Sequence, residues 1–259
     1  MLDASPPANH VTLLRHLDLR QCETMALSLV SQPQRRQSVA AVCEQLGLDW
    51  RIVDAIAASP GRVGCALSHL RALSRSTAGR PLLILEDDVG VEDGVTPELE
   101  IPGDADAVYL GASIYGAVDI VDYVGFTRML AADPAGPDLL RVYNLLSTHA
   151  ILYLSERFKQ AAAESIVQSL IDDWEHDKGM ARLQERFCVY ALRRPAFFQA
   201  AALQASRGDH QERVTRITLQ PSPVGAKSDL GIEDTWRAAK LVREEGLLRW
   251  RWDGEAPSA

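Results

Sequence analysis

The 259-residue chain carries 27 Lys and Arg against 35 Asp and Glu, a formal net charge of −8, with 47% hydrophobic and 24% charged residues. Such a chain can bury a core without staples, which excludes wholesale disorder, and its acidic balance weighs against a nucleic acid partner, whose phosphates need a basic surface. Four scattered cysteines (Cys22, Cys43, Cys65, Cys188) form no CxxC pair, no basic-then-apolar leader opens the chain, and no eighteen apolar residues run together, so the expectation is a cytoplasmic protein without a disulfide framework or a membrane span.

MALSLV (25–30) has the character of a short buried strand, and Pro33 stands where a helix can begin, with Val39, Val42, Cys43 and Leu46 at helical spacing and Gly47 as its stop. DWRIVDAI (49–56) predicts a second strand, and Pro60, Gly61 and Gly64 mark a loop. Ala66, Leu70 and Leu73 then share a helical face, and AGRP (78–81) closes that helix before the strand LLIL (82–85). This alternation is the pattern of a parallel sheet covered by helices, in which ligands bind beyond the carboxyl ends of the strands.

Further strands are expected at 106–111, 149–154 and 187–195, with a helix capped by Ser155 that aligns Phe158, Ala162, Ile166 and Leu170. Residues 112–142 lack sustained periodicity and predict long loops with a short strand near Asp122 to Phe126. The stretch 232–252 predicts a helix. Its Trp236, Trp250 and Trp252, with Arg237, Lys240, Arg243, Arg249 and Arg251, offer either a basic aromatic surface for peripheral contact with an anionic membrane or a face that docks on the main domain. The division is an N-terminal extension (1–24), a central domain (25–206) and a C-terminal helical appendage (207–259).

The chemistry concentrates where the third strand stops, at Glu86, Asp87 and Asp88. Such a cluster can cap a helix, pair with arginines or face water. It can also gather Mg²⁺ or Mn²⁺, hard cations that neutralise a phosphate or diphosphate. Arg35 and Arg36, after the first strand, could fork onto phosphate oxygens or stack on a base, or be an exposed helix start. Ser68 and His69 precede the acidic strand, and His149 opens a later one.

GCALSH (64–69), LILEDDV (83–89) and SLVSQPQRRQSVAAVCEQLGLDWRIVDAI (28–56), in this order, resemble glycosyltransferase family 25. STHAILYLS (147–155) and VYALRRPAFFQ (189–199) extend the resemblance over roughly residues 25–206. It implies a GT-A-like α/β fold with a mostly parallel central sheet, a UDP-sugar donor, a divalent Mn²⁺ or Mg²⁺ cofactor, and inverting transfer of a hexose such as galactose. The acceptor would be a hydroxyl of a glycan, a lipid-linked saccharide or a small molecule.

Carried over by residue, Asp88 with Glu86 would hold the metal, and Glu86 or Asp87 would face the ribose or a metal-bound water. Arg35, Arg36, Ser68 and His69 would line the donor site. Inversion needs a base for the acceptor hydroxyl; IDDWEHDKGM offers Asp172, Asp173, Glu175 and Asp177, and the family spacing favours Asp177 with Asp173 second. The chain departs from the pattern at Arg62, where many members have Glu, and beyond Gln199, where Arg207 to His210 replace an "SDI" ending. His210 is a candidate additional metal ligand or a surface histidine. These departures keep two other readings open: a catalytically silent module that binds a nucleotide sugar or a protein, and a metal-dependent phosphoryl or nucleotide hydrolase.

Overall fold

The computed structural model describes residues 13–112 and 132–200, and the backbone of 239–244 and 247–252. In chain order β1 (Leu14–Asp18) leads through a 3-10 turn (Leu19–Gln21) into β2 (Glu23–Ser28), α1 (Pro33–Gln45), β3 (Trp50–Asp54), α2 (Gly61–Ser74) and β4 (Leu82–Glu86). There follow β5 (Val89–Val91), β6 (Glu98–Pro102), β7 (Ala107–Tyr109), β8 (Ala132–Pro134), β9 (Leu139–Val142) and β10 (Ala150–Tyr153). Two helices, α3 (Glu156–Ile171) and α4 (His176–Leu183), precede β11 (Val189–Leu192) and β12 (Phe197–Gln199), and β13 (Ala239–Glu244) pairs with β14 (Leu247–Trp252).

Local chemistry sets several of these boundaries. Proline at the first position of α1 supplies a helical φ and lacks only an N–H that would be unbonded there. Gly47 stops the chain after α1 in the left-handed region at φ 64°, which costs glycine little. Ser155 caps α3 by accepting from the Phe158 amide at 3.2 Å while donating to Asp106 at 2.6 Å, and Asp106 also takes two hydrogen bonds from Arg157.

Eight strands form one sheet in the order β3-β2-β4-β10-β7-β11-β9-β8. The pairings of β2 with β3, β2 with β4, and β7 with β11 are parallel, and the remaining four are antiparallel. Followed across the sheet, β10 and β9 oppose the other six. Helices cover both faces, so the chain adopts the expected α/β layering around a central sheet; six of its eight strands run the same way, but the sheet is mixed, with four of its seven pairings antiparallel.

Alternate residues of β4 divide the core. Leu82 and Ile84 pack with Ala66 and Leu73 of α2, Phe158, Ala162 and Ile166 of α3, and Met180 of α4; Leu83 and Leu85 pack with Val39, Val42 and Cys43 of α1. Every one of these side chains is buried. From β2 the chain moves outward to β3 and then returns to the opposite side of β2 as β4, so the connections diverge between β2 and β4. That divergence leaves a crevice at the strands' carboxyl ends.

Two expectations are corrected. The predicted helix at 232–252 is, over its described part, the antiparallel pair β13 and β14. Leu248, Trp250 and Trp252 alternate with Arg249 and Arg251, a period of two that belongs to a strand, and Gly246 falls between the two runs. The region 112–142 contains β8 and β9, short strands whose three and four residues are too few to display periodicity; the strand expected near Asp122 to Phe126 lies outside the described residues. Also outside them are His210, Trp236 and Arg237. The segment taken as an N-terminal extension holds β1, which pairs with β6. No described helix is long and apolar enough to cross a membrane.

Candidate active site

β4 ends at Glu86, and the alternation that divides its aliphatic residues separates Glu86 from Asp87, after which a turn brings Asp88 back toward Arg35. Glu86 has the parity of Leu82 and Ile84 and turns toward α2. Its Oε1 accepts from His69 Nε2 at 3.1 Å and from Thr148 Oγ1 at 2.9 Å, and lies 4.0 Å from Cys65 Sγ. Its amide donates to the His149 carbonyl at 2.9 Å, which ties the acid to the start of β10. An ionised carboxylate only accepts, so the shared proton sits on His69 Nε2.

Burial alone would raise the Glu86 pKa, but the hydrogen bond from His69 opposes it and the carboxyl is held below the usual range. His149 and His176 are buried, and that burial lowers their pKa values, in His176 to about 3, so both are neutral at physiological pH. The His149 ring rests on Gly111: a Cβ there would stand 2.1 Å from His149 Nε2.

Asp87 turns the other way. Its Oδ2 accepts from Ser28 Oγ at 2.5 Å, at the end of β2, and its Oδ1 meets Arg35 Nη2 of α1 at 2.5 Å. The same guanidinium nitrogen lies 3.3 Å from Asp88 Oδ2. Burial raises the Asp88 pKa, and the neighbouring Glu86 and Asp87 add to the rise against the pull of Arg35, bringing it to about 7. Arg35 thus faces two buried acids, with Glu86 beside them.

The loop carrying the acids is fastened from behind. β5 pairs with β12, the Ala200 amide donates to the Asp88 carbonyl at 2.7 Å, and the Glu92 amide donates to the Ala196 carbonyl at 2.9 Å. The segment 189–199 therefore serves the acids through its backbone.

GCALSH divides into structural and site positions. A Cβ on Gly64 would stand 2.3 Å from the Ile56 carbonyl oxygen, so glycine permits the close approach of α2 to the 55–58 loop. Ser68 accepts from the Ile56 amide at 2.8 Å and donates to the Gly64 carbonyl at 2.6 Å, clamping that loop. Cys65 and His69 reach Glu86.

A cleft of about 300 Å³ opens between these parts, lined among others by Ser28, Arg35, Ala55, Gly61, Cys65 and Asp87. Arg36 is committed elsewhere, donating to the carbonyls of Leu29 at 3.1 Å and Ser28 at 3.0 Å and pairing with Asp54. Of the two candidate bases, Asp173 has an 83% exposed side chain and pairs with Arg62. Asp177 is half-buried in the first turn of α4, its pKa raised by burial and further by Glu175 and Glu86 despite a hydrogen bond from the Lys178 amide.

The structure thus brings together Arg35, Asp87 and Asp88 on one side of the strand end and His69, Glu86 and the field of Asp177 on the other. Sequence reasoning left out Ser28, Cys65, Thr148 and His176. All four stood inside stretches already singled out: Ser28 opens 28–56, Cys65 lies in GCALSH, Thr148 in STHAILYLS and His176 in IDDWEHDKGM.

A scan against protein-family models finds no match, and no curated protein sequence matches significantly. Similar solved structures include a nucleoside-diphosphate-sugar pyrophosphorylase from Vibrio cholerae RC9, 12% identical over 71% of this chain and 80% of that one with a TM-score of 0.41. A galactosyltransferase, LgtC, solved with donor and acceptor sugar analogs, is 12% identical over 65% of this chain and 72% of that one, with a TM-score of 0.36. A glycosyltransferase involved in glycosylation of the major capsid of PBCV-1 is 8% identical over 66% and 93%, with a TM-score of 0.32.

Proposed function

We propose that this chain is a metal-dependent glycosyltransferase of GT-A type, related to glycosyltransferase family 25, that transfers a hexose from a UDP-sugar to a hydroxyl with inversion. Galactose is the candidate sugar, and a glycan, a lipid-linked saccharide or a small molecule the candidate acceptor. The observation that carries this reading is the convergence of Arg35, Asp87 and Asp88 beside the cleft at the divergence of β2 and β4.

The sequence paired Asp88 with Glu86 as metal ligands; because Glu86 turns to His69 and Thr148, the second oxygen is assigned instead to Asp87, and this buried, oxygen-only pair suits a hard divalent cation such as Mn²⁺ or Mg²⁺. Such an ion, when bound, would supply charge stabilisation for the leaving diphosphate. Arg35 offers a guanidinium to the same phosphates, and the first turn of α2, through Gly61 and Gly64, gives the cleft a partly positive wall.

Asp177 is the proposed base. As the acceptor oxygen bonds to the anomeric carbon and the bond to the UDP oxygen breaks, its carboxylate takes the hydroxyl proton, and its raised pKa suits that task. Asp173, exposed and held by Arg62, is assigned no part in the chemistry.

One observation favours a second reading. Arg35 already bridges Asp87 and Asp88, and Asp88 is pushed toward its protonated form, so the pair can be balanced without a metal, and the chain would then bind a nucleotide sugar without transferring it. A thermal-shift screen of UDP-sugars with and without Mn²⁺, followed by calorimetry and a donor-hydrolysis assay, tests both. Metal-dependent UDP-sugar binding with release of UDP supports the transferase; binding without turnover supports the silent module. No UDP binding in the presence of metal overturns both.

A further inference from the structure

Beneath the cleft lies a cluster whose donor atoms are not those of a hard-cation site. Cys65 and His69 stand four residues apart on one face of α2, and His176 is the first residue of α4. Cys65 Sγ and one ring nitrogen each of His69 and His176 all lie within 4.8 Å of one another. The two imidazoles are tilted against each other with centroids 5.0 Å apart.

His69 is 1% exposed and His176 6%. His69 uses Nε2 on Glu86, whereas its Nδ1 and the Nε2 of His176 are buried with no hydrogen-bond partner. Ring nitrogens buried without a partner are costly, and coordination to a cation would relieve that cost.

We propose that Cys65, His69 and His176 hold a zinc ion, with Glu86 as its carboxylate neighbour. The donor set of one sulfur and two imidazole nitrogens selects a borderline-soft metal over Mg²⁺ or Mn²⁺. Glu86, 3.1 Å from His69 Nε2 and 4.0 Å from Cys65 Sγ, would orient His69 as a hydrogen-bonded carboxylate. The ion would join α2, α4 and the end of β4, three elements that the sequence supplies far apart. Cys65 and Glu86 also line the cleft, so the ion would form part of its wall. This zinc site does not depend on the donor-sugar reading and uses none of the oxygens of Asp87 or Asp88.

The test uses the full chain, stripped with chelator and titrated with Co²⁺ and then Zn²⁺. The expected result is a thiolate-to-cobalt charge-transfer band, displaced by Zn²⁺, and zinc protection of Cys65 from alkylation. Cys65→Ser removes the band, and His176→Gln weakens zinc binding by at least about 100-fold, beyond what loss of an orienting neighbour costs. Asp88→Asn leaves the band in place. Should Cys65→Ser fail to fold, the His176→Gln protein decides the matter by alkylation of Cys65 in the presence of zinc: loss of protection supports the site. Absence of the band in the unsubstituted chain, or unchanged zinc binding in His176→Gln, overturns it. Neither result bears on whether UDP-sugars bind.

Discussion

The two sides of the β4 terminus hold neighbouring acids in opposite chemical states. Toward α2, Glu86 sits among imidazoles, a thiol and a threonine, with its charge satisfied by short hydrogen bonds. Toward α1, Asp87 and Asp88 both meet the Arg35 guanidinium, Ser28 donates to Asp87, and Asp88 is pushed up toward neutrality. One step along the backbone separates Glu86 from Asp87, and the turn that follows, not the strand's alternation, carries Asp88 to the Arg35 side.

The comparison can be broken most severely at Asp177, on the Glu86 side. Asp177→Asn is expected to lower kcat by about 10²–10⁴-fold with little change in donor KM, whereas Asp173→Asn, which loses an exposed ion pair, costs about 1 kcal/mol of stability or less. Steady-state kinetics on both variants check this; equal losses would remove Asp177 from its assigned role.

On the Arg35 side, Asp88→Asn should cut transfer by about 10²–10³-fold and abolish the gain in UDP affinity brought by Mn²⁺. The same change should stabilise the metal-free protein. A carboxyl whose pKa rises from 3.8 to about 7 on folding stays protonated in the native state after the unfolded chain has released its proton, so stability falls as pH climbs through that interval. The gain from asparagine is therefore expected to be absent near about pH 4 and to reach about 2–4 kcal/mol near about pH 8, read from urea unfolding at the two values. A gain that shrinks with rising pH would contradict the assignment.

Gly111→Ala sharpens the contrast from the other side, because its Cβ would strike His149 and disturb only the imidazole pocket. A loss of about 1–3 kcal/mol is expected, with Mn²⁺ binding intact by calorimetry. Ser28→Ala, which removes one hydrogen bond to Asp87, is the mildest at about 1 kcal/mol, and its expected signature is weaker Mn²⁺ binding while a His69–Glu86 NMR signal stays unmoved.

Much of the scaffold was legible because its signals are local. Pro33, Gly47 and Ser155 mark helix ends by their own backbone chemistry, and LLIL followed by acids announces a buried strand reaching a rim. The split between Glu86 and Asp87 was less accessible. Alternation predicts that they diverge, but only the packing of α1 on one face and α2 on the other gives each side its partners. Arg35 and Arg36 looked equivalent in the chain; one helical step sends the first to the acids and the second to the carbonyls of Ser28 and Leu29. At 239–252 a composition rich in Arg, Leu and Trp was weighted above a clear period of two, and the backbone followed the period.

The fastening of β5 by β12 also sets an order of events during synthesis. The backbone contact of Asp88 with Ala200 cannot form until the ribosome has extruded the chain past residue 200, long after the acids have left the exit tunnel. A nascent chain with β2, α1 and β4 in place would present its carboxylates on an unsecured loop. Competence to grip a cation or a donor is thereby deferred until the central domain is nearly complete.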